Sequence, residues 1–140
     1  MIIKRLDATD IELMEDVLKD DDMVYNKDFL ANFINDEHNF GFIVKLDNKI
    51  VGFAYAYSLL RPDGKNMLYL HSMGLLPKYQ NQGLGTQLME YILDYAKNRN
   101  FSECFVITDK GNQRACHLYE NLGGKNDYEN EIVYVYDFEK

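Results

Sequence analysis

The sequence predicts an α/β fold in which a mixed, mostly antiparallel sheet is flanked by about four helices. Two observations carry this prediction. Three runs rich in β-branched and aromatic residues follow one another through short turn signals between residues 40 and 75, as consecutive antiparallel strands do. A strand-loop-helix-strand order between residues 67 and 108 then predicts a parallel pair, because the helix returns the chain to the same end of the sheet.

The length and composition fit a single domain over residues 1–140. The 140 residues are 46% hydrophobic and include 11 Tyr and 8 Phe, which suits a packed core and is unlike a disordered chain. No apolar run approaches the ~20 residues that a membrane helix needs. The N-terminal stretch MIIKRLDATD also lacks the apolar segment of a signal peptide. We therefore expect a cytoplasmic protein with no membrane partner.

The formal net charge of −8 bears on the kind of partner. Binding to nucleic-acid phosphates requires clusters of basic residues, so we expect no nucleic-acid partner. An acidic chain suits a cationic partner, and the same charge also serves solubility alone. Cys104 and Cys116 have no CxxC pair and no pair of His residues beside them. We therefore expect buried structural cysteines, no disulfide and no metal site.

The N-terminal part of the chain predicts one short strand and two helices. The strand holds Ile2, Ile3 and Leu6, and Asp7 or Thr9 can cap the helix after it. Apolar residues recur at helical spacing in both helices, first at Ile11, Met14, Val17 and Leu18, then at Phe29, Leu30, Phe33 and Ile34. The acidic run Lys19-Asp20-Asp21-Asp22 between the helices predicts a loop.

The middle of the chain predicts a three-stranded meander. Phe40 to Leu46 and Ile50 to Leu59 flank Asp47-Asn48-Lys49, a short polar turn that closes a hairpin. The turn signal Arg61-Pro62-Asp63-Gly64 then leads to a third strand, Met67 to Leu75.

A glycine-containing segment joins this third strand to the most regular helix. The segment Gln80-Asn81-Gln82-Gly83-Leu84-Gly85 follows Pro77, and the helix carries apolar residues at Leu84, Leu88, Tyr91, Ile92 and Tyr95 before ending near Asn98 to Asn100. Free N–H groups and the positive dipole end of a helix N-terminus attract anions, and glycine lets a ligand approach the backbone. The segment therefore predicts a pyrophosphate site.

The C-terminal part predicts a strand, a helix and a last strand. The first strand covers Cys104 to Thr108, and Asn112 caps the helix. Its inward residues are Ala115, Leu118, Tyr119 and Leu122, and Gly123-Gly124 ends it. Ile132 to Phe138 predicts the last strand.

Two motifs lie about 27 residues apart, counted from Gly85 to Asn112. The first is Gln80-x-x-Gly83-x-Gly85, and the second is the run N-x-x-A-x-x-L-Y-E-x-x-G from Asn112 to Gly123. In this order they resemble the [QR]-x-x-G-x-[GA] motif and the second signature of the GNAT superfamily of acetyl-CoA-dependent N-acetyltransferases. The resemblance covers essentially the whole chain. Within the superfamily the apolar strands and the Leu118-Tyr119-Glu120 helix are similar to small aminoglycoside 3-N-acetyltransferases.

The resemblance implies acetyl-CoA as a cosubstrate, held between the strand ending near Leu75 and the strand Cys104 to Thr108. Backbone groups around Met73 and Leu75 are implied to pair with the pantetheine arm. The implied cofactor-binding residues are Met73, Leu75, Gln80, Gln82, Gly83, Gly85, Thr86 and Asn112, with the amides of Gln82, Gly83, Gly85 and Thr86 on the pyrophosphate.

The resemblance also implies the catalytic residues. Tyr119 corresponds to the acid that protonates the leaving thiolate, and it also fits a core aromatic on an inward helix face. Several members carry a carboxylate on the strand before the loop, and this sequence offers His71 there instead. His71 fits a general base and equally fits a hydrogen-bonded strand residue. Water relayed from Asp109, or no dedicated base, is an alternative.

The function that follows is transfer of an acetyl group to a primary amine of a small cationic acceptor, of aminoglycoside or polyamine type. The candidate acceptor residues are Asp20, Asp21, Asp22, Tyr25 and Glu37. Two alternatives are an acetyltransferase for a protein N-terminus or lysine, and a non-catalytic acetyl-CoA-binding regulatory module. A homodimer through the edge of Ile132 to Phe138 is a further hypothesis, against an ordinary core strand.

Overall fold

Five strands form one sheet in the computed structural model, which describes residues 1–139. The strands are β1 (Ile2–Arg5), β2 (Asn39–Leu46), β3 (Lys49–Leu60), β4 (Asn66–Leu75) and β5 (Glu103–Val106), and they lie side by side in that order. The first four are antiparallel, and β5 is parallel to β4. The helices are α1 (Glu15–Asp20), α2 (Lys27–Asn35), α3 (Leu84–Asn98) and α4 (Gln113–Asn121). The predicted mixed, mostly antiparallel sheet is confirmed.

The first predicted helix is two short helices. A 3-10 helix at Ala8–Leu13 precedes α1, and Asp7 caps it by accepting a hydrogen bond from the Thr9 amide. Asp10 returns a bond to the Asp7 amide, which completes a capping box and closes a tight first turn. The second helix begins at its own cap, Asn26, as α2.

The two faces of the sheet bury separate apolar clusters. One face packs under α3, and its members include Phe42, Val44, Leu68, Leu70, Leu88 and Ile92. The other face packs under α1 and α2, and its members include Met14, Val17, Leu30, Ile43, Ile50 and Phe53. Because side chains alternate along a strand, the run F-A-Y-A-Y from Phe53 to Tyr57 puts its alanines under α3 and its aromatic rings on the other face.

A β-bulge interrupts the pairing of β3 with β4. Tyr55 pairs with Ser72 while the next residue, Ala56, pairs with Leu70, so His71 has no partner residue in β3. A bulge of this kind changes the direction of side chains locally. Tyr69 and His71 project on the face of Tyr55 by ordinary alternation, and their rings contact one another there. The bulge turns the next residue, Ser72, to the same face, where it pairs with Tyr55.

The parallel strands β4 and β5 pair over only part of β4. Their registered pairs run from Met67 with Glu103 to Leu70 with Val106. Beyond that point β4 continues to Leu75 while the chain after Val106 leaves the sheet, so the two strands open like a V. Strand β5 is therefore shorter than the predicted Cys104 to Thr108, because the chain after Val106 diverges from β4 and no longer pairs with it.

The predicted last strand, Ile132 to Phe138, is wrong for this structure. The stretch forms no strand, and its apolar side chains are exposed. A strand forms only by pairing with another strand, and within residues 1–139 no edge of the sheet pairs with this segment.

Two smaller expectations also differ from the structure. Phe29 lies outside the apolar face of α2, and Cys104 and Cys116 are free and are partly rather than fully buried. No helix within residues 1–139 is long and apolar enough to cross a bilayer.

Candidate active site

The N-terminus of α3 is open to an anion. Its N-cap residue, Gly83, makes no side-chain capping bond, and the first turn holds no acidic residue. The first intrahelical bond runs from the Gln87 amide to the Gly83 carbonyl. The amides of the preceding residues in the turn thus stay free for a ligand, and the helix dipole favours negative charge at this position.

The two motif glycines have different structural reasons. Gly83 has φ +81, in the left-handed region that favours glycine, so the turn itself requires it. Gly85 lies inside the helix, and a Cβ there would meet only Leu75 Cδ1 at 3.8 Å. Because nothing in the described fold forbids a side chain at Gly85, close approach of a ligand is the physical reason that remains for glycine.

The motif glutamines hold the loop in shape. The Gln80 side chain donates a 3.0 Å hydrogen bond to the Leu75 carbonyl at the end of β4. The Gln82 side chain donates to the Lys78 carbonyl at 3.2 Å, which ties the loop to the 3-10 turn Pro77–Tyr79. Their side chains are therefore engaged with the protein, and what Gln82 can offer a phosphate is its backbone amide.

The open half of β4 leads to this loop. Met73 and Leu75 point to the α3 side of the sheet and pack against its cluster, and both are only partly buried. Their stretch of β4 pairs with β3 on one side and has no β5 residue opposite on the other. Backbone groups on that free side can form hydrogen bonds with an extended, amide-containing ligand.

Tyr119 lies on α4 against the same apolar cluster. Burial is the main cause that raises the pKa of its phenol above the ordinary 10.0, and the nearby thiols of Cys104 and Cys116 add to it. Within the described residues its hydroxyl has no hydrogen-bond partner. A phenol that keeps its proton at neutral pH and is not committed to another acceptor can serve as a proton donor.

His71 stands among aromatic rings on the opposite face. Its ring centroid lies 5.2 Å from that of Tyr55 and 5.4 Å from that of Tyr69. Its Nδ1 is 2.9 Å from the Tyr69 hydroxyl. If Nδ1–H donates to that oxygen, Nε2 is the basic nitrogen and the exposed ring can accept a proton there.

The rings around His71 form a continuous surface, which we call the aromatic face: Tyr55, Tyr57, Tyr69, His71 and Phe105. Tyr57 lies 6.4 Å from Tyr69, and Tyr69 stacks on Phe105 at 4.9 Å. Burial raises the pKa of the Tyr55 phenol, with smaller contributions from Tyr57, Asp21 and Tyr69. The sequence analysis missed this face, although the alternation F-A-Y-A-Y in β3 is a signal that could have found it.

The acidic turn after α1 borders the aromatic face. The Ser72 hydroxyl donates a 3.2 Å hydrogen bond to the Asp21 carboxylate, which fixes that carboxylate beside β4. Asp20 and Asp21 also line a small cavity of about 40 Å³, together with Val17, Phe53, Gly74, Leu75 and Leu76.

The other predicted acceptor residues have different contacts. The Tyr25 hydroxyl donates to the Ile11 carbonyl at 2.9 Å, so it serves to join the N-terminal helices. Asp22 is an exposed turn residue with φ +56, and Glu37 is exposed beside His38. Of the predicted acidic group, the structure therefore brings Asp20 and Asp21 to the site.

The start of α4 is built by local hydrogen bonds. The Asn112 side chain caps the helix by accepting from the Ala115 amide at 3.1 Å, as predicted. The Asp109 carboxylate accepts from the Gly111 amide at 2.8 Å and so shapes the preceding turn. Within residues 1–139 no group of three or more His, Cys, Asp or Glu side chains could hold a metal ion.

Known proteins share both the sequence pattern and the fold. Over 90 residues the chain is 27% identical to thialysine N-epsilon-acetyltransferase of Mus musculus, covering 64% of this chain and 53% of that enzyme. It is 27% identical over 97 residues to spermidine N(1)-acetyltransferase of Escherichia coli, covering 69% and 50%. The chain thus spans about half the length of these two enzymes.

A solved structure matches over almost the full length. It is an aminoglycoside acetyltransferase from an uncultured soil metagenomic sample, in complex with trehalose. The two chains are 26% identical with a TM-score of 0.78, and the match covers 97% of this chain and 94% of the other. The sequence profile of the acetyltransferase (GNAT) family matches residues 8–124, which include the loop, the open half of β4 and Tyr119. With most of its length matched by that profile, the chain belongs to the GNAT family of acetyltransferases.

Proposed function

We propose that the protein transfers an acetyl group from acetyl-CoA to a primary amine of a small cationic acceptor, of the aminoglycoside or polyamine type. The observation that carries the proposal is the junction of β4 and α3. There, the part of β4 that has no β5 residue beside it leads to a helix N-terminus without a side-chain cap. No contact within the described fold requires glycine at position 85. An extended amide-containing arm that ends in a pyrophosphate fits both parts at once.

The residues present fit acetyl-CoA. The amides of Gln82, Gly83, Gly85 and Thr86 are proposed to bind the pyrophosphate, and the backbone of Met73 and Leu75 to bind the pantetheine arm. The Gln80 side chain contributes by tying the loop to β4 at Leu75, so it acts as a positioning residue. Asn112 is proposed to contribute from the start of α4, where it already caps the helix.

The aromatic face and the acidic turn support a cationic acceptor. A cation over the face of a Tyr ring gains about 0.5–2 kcal/mol, depending on how far it is desolvated. The rings of Tyr55 and Tyr57 are partly exposed, and the Asp21 carboxylate lies close enough to Tyr55 to affect its pKa. A flat array of rings beside a carboxylate favours an ammonium group over an anionic or neutral acceptor.

Three proton transfers accompany the proposed reaction, for which acetyl-CoA supplies the acetyl group as a thioester. We assign removal of the first proton from the cationic amine to His71 at Nε2, with bulk water as the final acceptor, and this leaves a neutral amine. The amine attacks the acetyl carbon, the C–S bond breaks, and the sulfur leaves with the bonding electron pair. We assign protonation of that thiolate to Tyr119, whose phenol is neutral at physiological pH, as an ordinary phenol is, and burial raises its pKa further. The new amide nitrogen releases its second proton to water, and water returns a proton to the Tyr119 phenoxide.

The two alternatives predict different substrate requirements. An acetyltransferase for protein N-termini or lysines needs a peptide for turnover, whereas the proposed enzyme uses a free polyamine or aminoglycoside. A regulatory module binds acetyl-CoA without releasing thiol. The proximity of Asp21 to the rings supports an acceptor with an ammonium group, because the carboxylate can neutralise an ammonium group held on the rings.

The experiment is a thiol-release assay with acetyl-CoA and a panel of amines that includes spermidine, an aminoglycoside, a lysine peptide and a peptide with a free N-terminus. We expect thiol release with a polyamine or an aminoglycoside. Thiol release with the peptides alone would show that the protein acetylates proteins rather than small amines. Acetyl-CoA binding by calorimetry without release from any amine would identify a binding module.

A matched pair of charge variants tests the acceptor surface. Asp21→Asn is expected to raise KM for the cationic acceptor several-fold with little change in KM for acetyl-CoA, because one carboxylate beside the rings is lost. Asp16→Asn removes the same charge from within α1, at a hollow lined by Asn48 and Lys49 away from the rings. Equal effects of the two variants would reduce the role of Asp21 to general electrostatics.

A further inference from the structure

Helix α2 (Lys27–Asn35) presents apolar side chains in two directions. Leu30 and Ile34 pack into the apolar cluster under α1 and α2. Phe29 and Phe33 each come one residue earlier, so they are turned by about 100° around the helix axis. Within residues 1–139 neither of them is part of that cluster, and Phe29 is 65% exposed. We call Phe29 and Phe33 the phenylalanine stripe, and packing of the core does not account for it.

Phe33 borders the aromatic face. Its ring centroid lies 6.2 Å from that of Tyr55 and 6.4 Å from that of Tyr57, with its plane nearly perpendicular to both. The Asn39 side chain donates a 3.2 Å hydrogen bond to the Phe33 carbonyl, which ties the end of α2 to the start of β2. Phe33 therefore forms a fixed wall along one border of the aromatic face.

Phe33 and His71 share the same two neighbours. The His71 ring lies 5.2 Å from Tyr55 and 6.2 Å from Tyr57, and both of these tyrosines also contact Phe33. An acceptor whose nitrogen reaches His71 thus has its adjoining atoms on these tyrosines, within reach of Phe33. Phe29 lies one helical turn, about 6 Å, further along the stripe.

The stripe differs in polarity from the end of the site that holds the acidic turn. There, Ser72 fixes the Asp21 carboxylate beside the rings, whereas the stripe offers no hydrogen-bonding side chain. The hydroxyl and ammonium groups of an aminosugar would lose their hydrogen bonds to water against it. A methylene chain instead gains by leaving water, by about fourfold in affinity for each methylene that is fully buried.

We propose that the acceptor is a free, unbranched alkylamine of the kind found in diamines and polyamines, and that the phenylalanine stripe selects it over an aminosugar. Asp21 holds the ammonium group, and Phe33 and then Phe29 contact the methylene chain beyond it. Phe33 and Phe29 are thus specificity-determining residues. This inference rests on the proposed function and narrows its acceptor to one class.

Four variants of the full-length chain separate selection from folding. Phe33→Ala removes the wall, and Phe33→Tyr keeps the ring as its matched control. Phe29→Ala shortens the stripe at an exposed position. Leu60→Ala truncates a similarly exposed apolar side chain, 73% exposed, at the far end of β3. Far-UV circular dichroism and thermal unfolding establish which variants are folded, and the Phe29→Ala result decides the matter if Phe33→Ala does not fold.

Thiol release from acetyl-CoA gives the first readout, as the ratio of kcat/KM for spermidine to kcat/KM for the aminoglycoside kanamycin. We expect the wild type and Phe33→Tyr to favour spermidine at least tenfold. Phe33→Ala should lower the ratio about tenfold, because two or so methylenes lose their contact with a ring. A merely structural role of Phe33 would lower both values of kcat/KM equally and leave the ratio unchanged.

The length of the acceptor gives the second readout. Butylamine is too short to extend past Phe33, whereas spermidine continues towards Phe29. Phe29→Ala should therefore raise KM for spermidine about fourfold and leave KM for butylamine within about twofold. Leu60→Ala should change neither value. Calorimetry of the CoA-loaded protein with spermidine measures the same preference without turnover, and there Phe33→Ala should raise the dissociation constant about tenfold.

The outcomes distinguish this inference from the proposed function. Thiol release that favours kanamycin or a lysine peptide over spermidine would overturn the inference and leave acetyl transfer in place. A spermidine preference that survives in both Phe33→Ala and Phe29→Ala would overturn it as well. Spermidine binding that depends on Phe33, without thiol release from any amine, would support the acceptor surface and overturn the proposed function. Absence of both binding and release would overturn both.

Discussion

A pair of glycines with the same backbone conformation allows the cofactor loop to be tested apart from folding. Gly83 at the start of α3 has φ +81, and Gly64 in the turn between β3 and β4 has φ +86. A Cβ added at either position meets no atom within 4 Å. Gly83→Ala and Gly64→Ala therefore impose the same kind of backbone strain without a steric clash, and they differ in what lies beside them.

The effect on stability should be nearly equal in the two variants. An L-residue in the left-handed region costs about 1–2 kcal/mol, and the lower entropy of the unfolded chain with Ala returns about 0.4–1 kcal/mol of that. We expect the free energy of unfolding to fall by about 0.5–1.5 kcal/mol in each variant. Urea unfolding followed by circular dichroism measures both values.

The effect on CoA binding should differ sharply. A strained or displaced Gly83 weakens a hydrogen bond to a charged phosphate, and such a bond contributes about 1.5–3 kcal/mol. At 1.4 kcal/mol for each factor of ten, Gly83→Ala should raise the dissociation constant about 10- to 100-fold. Gly64→Ala should leave it within about twofold. Calorimetry with CoA is the assay, and a Gly83→Ala protein that binds CoA as tightly as Gly64→Ala does would refute the loop assignment.

Three further variants test the chemistry and the packing. Tyr119→Phe should lower kcat by about 100-fold or more while CoA affinity stays unchanged, because only the proton donor is removed; an unchanged kcat in steady-state assays would exclude Tyr119 from the reaction. His71→Gln should also lower kcat by about 100-fold, and the neighbouring Ser72→Ala should not match that loss, so equal losses in the two would contradict a base at His71. Burial raises the pKa of the Cys104 thiol from 9.0 to about 11, so the unfolded chain loses this proton first and the free energy of unfolding should fall between pH 9 and pH 11 by up to about 3 kcal/mol. Urea unfolding across that range should show a smaller fall in Cys104→Ala, and parallel curves for the two proteins would count against a buried neutral thiol.

Local patterns predicted the parts of the fold that depend on near neighbours. Asp47 and Asn48 both adopt positive φ in the hairpin turn, as their residue types favour. The caps Asp7 and Asn112 lie where their side chains accept the first free amides. In each case the deciding contact joins residues a few positions apart, so the sequence alone could specify it.

The features that the sequence did not predict depend on distant partners. The bulge at His71 follows from the register of β4 against Tyr55 and Ala56, and nothing in the local run Leu70-His71-Ser72 distinguishes a bulge from a regular strand. Ile132 to Phe138 has the composition of a strand, but composition does not say whether an edge is present to receive it. The aromatic face was visible as an alternation in β3, yet its extension to Phe105 required knowing that β5 lies beside β4.

Strand β4 connects the two halves of the proposed site. Its Met73 and Leu75 side chains turn to the α3 face with the cofactor loop, while Tyr69 and His71 turn to the aromatic face with the acidic turn. In a regular strand, neighbouring side chains point to opposite faces of the sheet, so two successive residues cannot share a face. The bulge places Tyr69, His71 and Ser72 together on the acceptor side and still returns Met73 to the cofactor side. On the proposed function, this irregularity explains how one strand can hold both His71 and Ser72 beside the acceptor and still turn Met73 and Leu75 to the side of acetyl-CoA.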